Sequence, residues 1–390
     1  YVVPEKRAAI VAELRRREAA GRYTIANPAH FAQVLSDDMV AIAEDRHMWF
    51  SYDPAGYQAA LLPRDANDSD PLSAAAALRD NQGYEEMRIL PGNIRYLRLS
   101  GFEWSGDATT RVVADAARFL HGGDAIIVDI AGNGGGAGEA VQALASYFLP
   151  PDGRTLMNFH DTYEGKDFAT HVIDKLDGPR LTGIPLYVLI SGRTGSAAEE
   201  FTAHVRYFKL GTLVGSNTVG AAFNDHGFPI APFFVQSISV GRPDHPVTHG
   251  NWERTGLAPD VAAAPGQALA QAQILALTAL RAKTTDAARR EDYDWALVAA
   301  NAALRPLRLD AAALAAYAGK YGTRKIWIAD GVLLYRREGR EATVLTPLAD
   351  DLFAMAATDA VRVRFRRDGA RITGFDSITA DGQAIPAARD

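Results

Sequence analysis

The sequence contains no cysteine, which excludes disulfides, thiolate metal sites and a cysteine nucleophile. The compartment stays open, because a cysteine-free chain persists in oxidising and reducing surroundings alike. No apolar run approaches the roughly 20 residues that a bilayer requires. Clustered lysine and arginine are also missing, and the formal net charge is -6. Phosphate recognition depends on such clusters, so a nucleic-acid partner is not expected. The arginine-rich stretch RVRFRRDG, residues 362–369, reads as the exposed face of a strand. No internal repeat or low-complexity segment stands out. The chain starts at Tyr1, with neither a methionine nor a signal-peptide pattern, as a mature or trimmed form would.

What is present belongs to a soluble globular protein: 48% hydrophobic and 23% charged residues over a length of 390, enough for about two to three domains. Ile10, Val11 and Leu14 fall at helical spacing. After Asn27-Pro28, a cap and a first-turn proline, Phe31, Val34, Leu35, Met39 and Ile42 mark an amphipathic helix over 28–45. This opening predicts a small helical bundle that ends at EDRHMWFSYDP. Residues 63–82 read as a connector. Then NIRYLRLSGF, DAIIVDI, IPLYVLIS and GTLVGS alternate with helical stretches at 107–120, 137–148 and 197–208, the pattern of an α/β core with a largely parallel, covered sheet. A helix near 266–282 closes it, and RAKTTDAARREDYD reads as a boundary. Beyond one or two helices ending near Tyr317 the period is two. KIWIADGVLLY and VRVRFRRDGARITGF are hairpin-like, with Asp330-Gly331 and Asp368-Gly369 as turn signals. The expected division is an N-terminal helical domain at 1–62, an α/β core at 63–285 and a helix-linked β-rich domain at 286–390.

Two segments carry chemistry. In PLYVLISGRTGSAAEEFTAHV, residues 185–205, a buried strand turns sharply into a helix at Ser196. Such a corner can present a nucleophile, and a serine there can equally be an ordinary helix cap. In IIVDIAGNGGGAGEAV a strand leads through glycines into a helix. Gly132, Gly134 and Ala137 fit a dinucleotide-loop spacing. Asp129 at the strand end would crowd a pyrophosphate, however, and no acidic residue closes a second strand about 20 residues later. Consecutive glycines also suit an oxyanion hole, or simply a tight turn.

Taken in order, VDIAGNGGG, TGSAAEEF, LVGSNTVGAA and NWERTGLAPD resemble family S41 of serine peptidases, the C-terminal processing and tricorn-like enzymes, over roughly residues 5–283. LPGNIRYLRL and GRPDHPVTHGNWERTGLAPDV are similar to the branch that includes interphotoreceptor retinoid-binding protein modules. The resemblance implies a crotonase-like (ClpP/crotonase) core. It implies Ser196 as nucleophile, with an oxyanion hole from the N–H of Ala197 and that of Gly134 or Gly135. The family divides over its base. Where the processing branch has lysine this chain has Ala221, so the tricorn-like arrangement is implied, with His47 as base and Glu253 as its acidic partner. Arg46 stands where that branch has a serine, and an arginine there could pair with Glu253 and modulate it.

The resemblance implies hydrolysis of peptides or unfolded proteins, as an endopeptidase or a carboxy-terminal peptidase, without metal or organic cofactor. The competing reading is a catalytically silent module that binds apolar ligands or peptides. The resemblance favours an exported bacterial enzyme of the periplasm or envelope and leaves a cytoplasmic one open. Ser51 to Asn93 is too short for a tail-binding PDZ-type domain. The β-rich part offers no histidine and no glycine-serine corner, and no catalytic group is expected from it.

Overall fold

Each of the first four helices begins on a proline, whose fixed φ suits the first turn and whose missing N–H is no loss there. They are α1 (Pro4–Ala19), α2 (Pro28–Ala43), α3 (Pro54–Ala60) and α4 (Pro71–Arg79). Asn27 and Asp53 cap the second and third by accepting the N–H groups of His30 and Gly56, both at 2.9 Å. The computed structural model describes residues 1–61 and 71–390. The first part of the expected connector at 63–82 lies outside the described residues, and its later part is α4. The chain forms two compact units, Tyr1–Ile89 with Arg95–Pro265, and Leu90–Ile94 with Gly266–Asp390.

The first unit continues with β1 (Phe50–Tyr52), β2 (Tyr84–Leu90), β3 (Ile94–Leu99), α5 (Asp107–His121), β4 (Ala125–Asp129) and α6 (Gly138–Tyr147). After these come β5 (Thr155–Asp161), β6 (Lys166–His171), β7 (Leu186–Ile190), α7 (Ala197–Tyr207) and β8 (Thr212–Gly215). The last are β9 (Asn224–Ile230), β10 (Phe234–Asp244) and β11 (Val261–Ala262). One sheet has the order β11-β8-β7-β4-β3-β2. Its β4, β7, β8 and β11 run parallel, with Val128 opposite Val188 and Val188 opposite Leu213. Every residue of β7 is buried, as a parallel strand covered on both faces requires. The helices α5, α6 and α7 share its core. This is a mixed α/β architecture, and the expected helices and strands of this region fall within a few residues of their places.

A second, antiparallel sheet orders β1-β10-β5-β6, with β9 on the other side of β10. It was not foreseen, because its strands mix charged, glycine and proline positions and several residues are exposed. It also changes the reading of the N-terminal bundle. The helix α1 buries only Ile10. Ile10, Met39 and Ala43 find their core with Met48, Phe50 and β10 residues Phe234 and Ile238, so these helices pack on a sheet and do not form a free-standing bundle. Among the described residues of 51–93, the strands are β1 and β2 only.

The second unit holds α8 (Ala268–Lys283), α9 (Ala287–Leu304) and α10 (Ala311–Tyr317). Its sheet contains β12 (Gly319–Tyr321), β13 (Arg324–Ala329), β14 (Val332–Arg337) and β15 (Thr343–Ala349). It is completed by β16 (Leu352–Met355), β17 (Thr358–Asp368), β18 (Arg371–Thr379) and β19 (Ala384–Ala388). These eight strands form an antiparallel meander in chain order. Tyr317, Tyr321, Phe353, Phe365 and Phe375 fill its core. Asp330-Gly331 forms a two-residue hairpin turn as expected. In the other hairpin Asp368 pairs with Arg371, so the turn residues are Gly369 and Ala370.

The charged run at 281–294 is no break in structure. Asp286 accepts the N–H groups of Ala288 and Arg289 and starts α9, and the charges occupy its solvated side. The boundary between units falls instead at Pro265/Gly266. Arg364 and Arg366 are exposed as the alternation predicts, whereas Arg362 is buried, because α9 covers that part of the sheet. Among the described residues no helix is long and apolar enough to cross a membrane.

Candidate active site

Ser196 stands at the corner between β7 and α7 with φ 50° and ψ -124°. A non-glycine residue in that region is strained and persists only where its surroundings hold it. The holding is visible. Thr194 Oγ1 donates to the Ile130 carbonyl, Ser191 Oγ to the Ala131 carbonyl, and the Gly195 N–H to the Asn133 carbonyl. The Ser196 N–H donates to Glu199 Oε2 at 3.2 Å, which is half of a capping box. Ser196 Oγ also reaches beyond its own helix. Its partner is His47 Nε2, at 3.2 Å.

His47 reaches this point because α2 ends abruptly. Glu44 adopts the left-handed conformation at the C-cap, and Asp45 Oδ1 accepts the His47 N–H at 2.9 Å. Met48 and Phe50 then anchor the segment in the core beside β10. The Trp49 carbonyl accepts from the Ser237 N–H and from Gln236 Nε2.

The glycine loop lies against the serine. Asn133 is fully buried, and its Nδ2 donates to the Leu99 carbonyl while its Oδ1 accepts the Gly135 N–H at 2.9 Å. The Gly135 N–H is therefore already engaged. The N–H groups of Gly134 and Ala197 make no hydrogen bond among the described residues, and the space around Gly134 is open. Of the two glycines offered for an oxyanion hole, only Gly134 has a free donor. Gly135 serves by being small: a Cβ there would lie 2.7 Å from the Ser196 Cβ. Asp129, whose position argued against a dinucleotide, accepts from Tyr96 Oη and from the Ala131 N–H.

Glu253 lies on the turn after Trp252. Its Oε2 accepts the N–H of Ala222 at 2.7 Å and that of Phe223 at 3.3 Å. Among the described residues its Oε1 is buried without a partner, and so is His47 Nδ1. Burial is the main reason that its carboxyl is pushed up to about 7, and the charge of Asp45 adds to it. Arg46, expected to compete for this carboxylate, is exposed and makes no ion pair with it among the described residues. The neighbouring Arg254 pairs with Glu44 instead, at 2.8 Å. Ala221 is buried, and its N–H is held by Glu199.

Glu199 was not singled out beforehand. It is fully buried and accepts from Thr218 Oγ1 at 2.5 Å, the Gly220 N–H at 2.7 Å and the Ala221 N–H at 2.8 Å, as well as from Ser196. It ties the serine corner to the loop before β9. The capping-box spacing Ser196-x-x-Glu199 was the one local sign of it. Among the described residues no group of three His, Cys, Asp or Glu is placed to hold a metal ion.

Residues 93–263 match the model of peptidase family S41. A similar relative is the carboxyl-terminal-processing protease of Synechocystis sp., 27% identical over 176 residues, which are 44% of this chain and 38% of the relative. The chain thus spans well under half of that relative's length. Among solved structures it is similar to a photosystem II D1 C-terminal processing protease, at 24% identity and TM-score 0.37, covering 44% of this chain and 42% of that one. It is also similar to a lipoprotein from Streptococcus agalactiae, at 17% identity and TM-score 0.46, covering 70% and 88%.

Proposed function

We propose that this protein is a serine peptidase that forms an acyl-enzyme on Ser196. The observation that carries the reading is the Ser196 hydroxyl at a strained strand-to-helix corner, within hydrogen-bond distance of His47 Nε2 at 3.2 Å. In this mechanism His47 Nε2 accepts the Oγ proton as Oγ bonds to the peptide carbonyl carbon. The N–H groups of Gly134 and Ala197 stabilise the negative charge on the carbonyl oxygen. The imidazolium then gives its proton to the leaving amine as the C–N bond breaks. Water repeats the cycle and releases the acid. Glu253 orients the ring directly or through a bridge; its Oε1 and His47 Nδ1 are buried atoms with no hydrogen-bond partner among the described residues. Arg46 is left at the rim.

The substrates in this proposal are peptides or unfolded proteins, cleaved internally or near the carboxy terminus, in an exported bacterial setting. The core is of the crotonase-like kind, preceded by the helical segment 1–62 and followed by the β-rich domain. A fluorophosphonate probe tests nucleophile, base and oxyanion donors together. One adduct is expected, on Ser196. Ser196→Ala should abolish it, and His47→Ala should slow it about 10²-fold or more. A folded protein that takes up no probe at pH 8 yet binds fatty acids would overturn this and favour the silent binding module.

A further inference from the structure

The second unit contains a buried cation that makes no ion pair among the described residues. On β17, Val363 and Phe365 point into the aromatic core, so Arg362 lies on the opposite face, between Ala354 of β16 and Ile378 of β18. It is only 5% exposed. Its guanidinium stacks on the Trp295 ring of α9, 3.7 Å from the centroid, and Nη2 donates to the Trp295 carbonyl at 2.5 Å. Among the described residues it forms no ion pair, and Asp359 acts on it only through space. A carbonyl and a ring face balance part of a guanidinium charge, and a desolvated charge without its counter-ion is normally avoided. Burial pulls Arg362 down to about 10, as such an environment should.

Beside this arginine is a cavity of about 410 Å³, within the range of small-ligand sites. One face of α9, carrying Trp295 and Val298, forms a wall, and Leu352, Ile378 and Ala384 of the sheet form the other. Of the carboxylates at its edge, Asp294 is paired with Arg281 and Asp376 with Arg366. Glu291 and Arg364 are exposed and opposite in sign. The charge left over in the cavity is therefore that of Arg362.

We propose that this cavity is a binding site for a carboxylate carried on a short aliphatic body, with the carboxylate on the free guanidinium edge of Arg362 and the body between Val298 and Ile378. Arginine suits the role because its fork matches a carboxylate and its weak hydration tolerates burial. The site lies within the second unit and is independent of Ser196, so its failure would not touch the peptidase reading.

The test is calorimetric titration of the full chain carrying Ser196→Ala with 4-methylpentanoate and, separately, with 4-methylpentanamide, which has the same shape without the charge. The acid should bind saturably at one site, and the amide at least about tenfold more weakly. Arg362→Gln should reduce acid binding at least about tenfold, and Arg362→Lys should restore part of it. Val298→Phe, which fills the cavity and leaves the arginine in place, should block binding as well. Equal binding of acid and amide, or no saturable binding of the acid up to about 20 mM, would overturn the proposal without recourse to a variant. So would undiminished acid binding in a folded Arg362→Gln protein.

Discussion

Two glutamates flank the loop at 217–223, Glu199 fully buried and Glu253 half-buried, and they are treated in opposite ways. Glu199, at the start of α7, receives four donors spread over both oxygens. Glu253, on the turn before β11, receives two, both on one oxygen, and its other oxygen is bare. A carboxylate saturated by backbone N–H groups is a structural tie, since every lone pair is committed to holding chain. A carboxylate left half open still has an oxygen to satisfy, and among the described residues His47 Nδ1 is likewise bare. Burial raises both carboxyls, more completely hiding Glu199 than Glu253, and the donor inventory separates their roles.

Replacement by glutamine should break the comparison most sharply at Glu199. The amide nitrogen would face N–H donors, leaving at least one of them unpaired in a fully buried place. A loss of about 3 kcal/mol is expected, read by urea unfolding, together with slower probe labelling because Ser196 loses its tether. If Glu199→Gln unfolds at the wild-type midpoint, the tie is not one. At Glu253 the same substitution should do the reverse to stability. Glutamine Oε1 can still accept from Ala222 and Phe223, and an ionised group is removed from a partly buried site. At pH 8 Glu253→Gln should gain on the order of 1–2 kcal/mol, allowing for solvent screening, while labelling falls about 10-fold. A variant that loses stability and keeps its rate would reverse the assignments of the two residues.

These outcomes bear on what can be read from the chain alone. The Ser196 corner is legible because its signals are local: a continuous apolar strand, a glycine turn, a helix start. His47 and Glu253 lie 149 residues before and 57 after it, and no spacing rule joins them; only the ordered motifs singled them out. Glu199 was hidden for a related reason, since its partners Thr218, Gly220 and Ala221 come from another segment. Alternation on β17 put Arg362 in solvent along with Arg364 and Arg366, because periodicity knows the two faces of a strand and not what a later-docked helix covers. The β5–β6 and β9–β10 pairs were missed through their polar composition. Gly134 and Gly135 looked equivalent until the side chain of Asn133 was seen to occupy one N–H.

The smallest expected effect is also the most specific. The Glu253 carboxyl is raised to about 7 in the folded chain, against an ordinary value near 4.5. A group raised on folding contributes stability that is fully present below its unfolded value and is lost as pH rises through the folded one. The stability difference between Glu253→Gln and wild type should therefore be near zero at pH 4.5, grow between pH 5 and pH 7, and level off above about 8. The probe-labelling rate should move in the opposite sense. Only the ionised carboxylate stabilises a protonated His47, so wild type should gain a few-fold more than Glu253→Gln as pH passes 7. Stopped-time labelling of both proteins across pH 5.5–8.5 isolates that share, since every other titrating group is common to the two. Parallel pH–rate curves would mean that Glu253 is as structural as Glu199, and that its bare oxygen has no part in the chemistry.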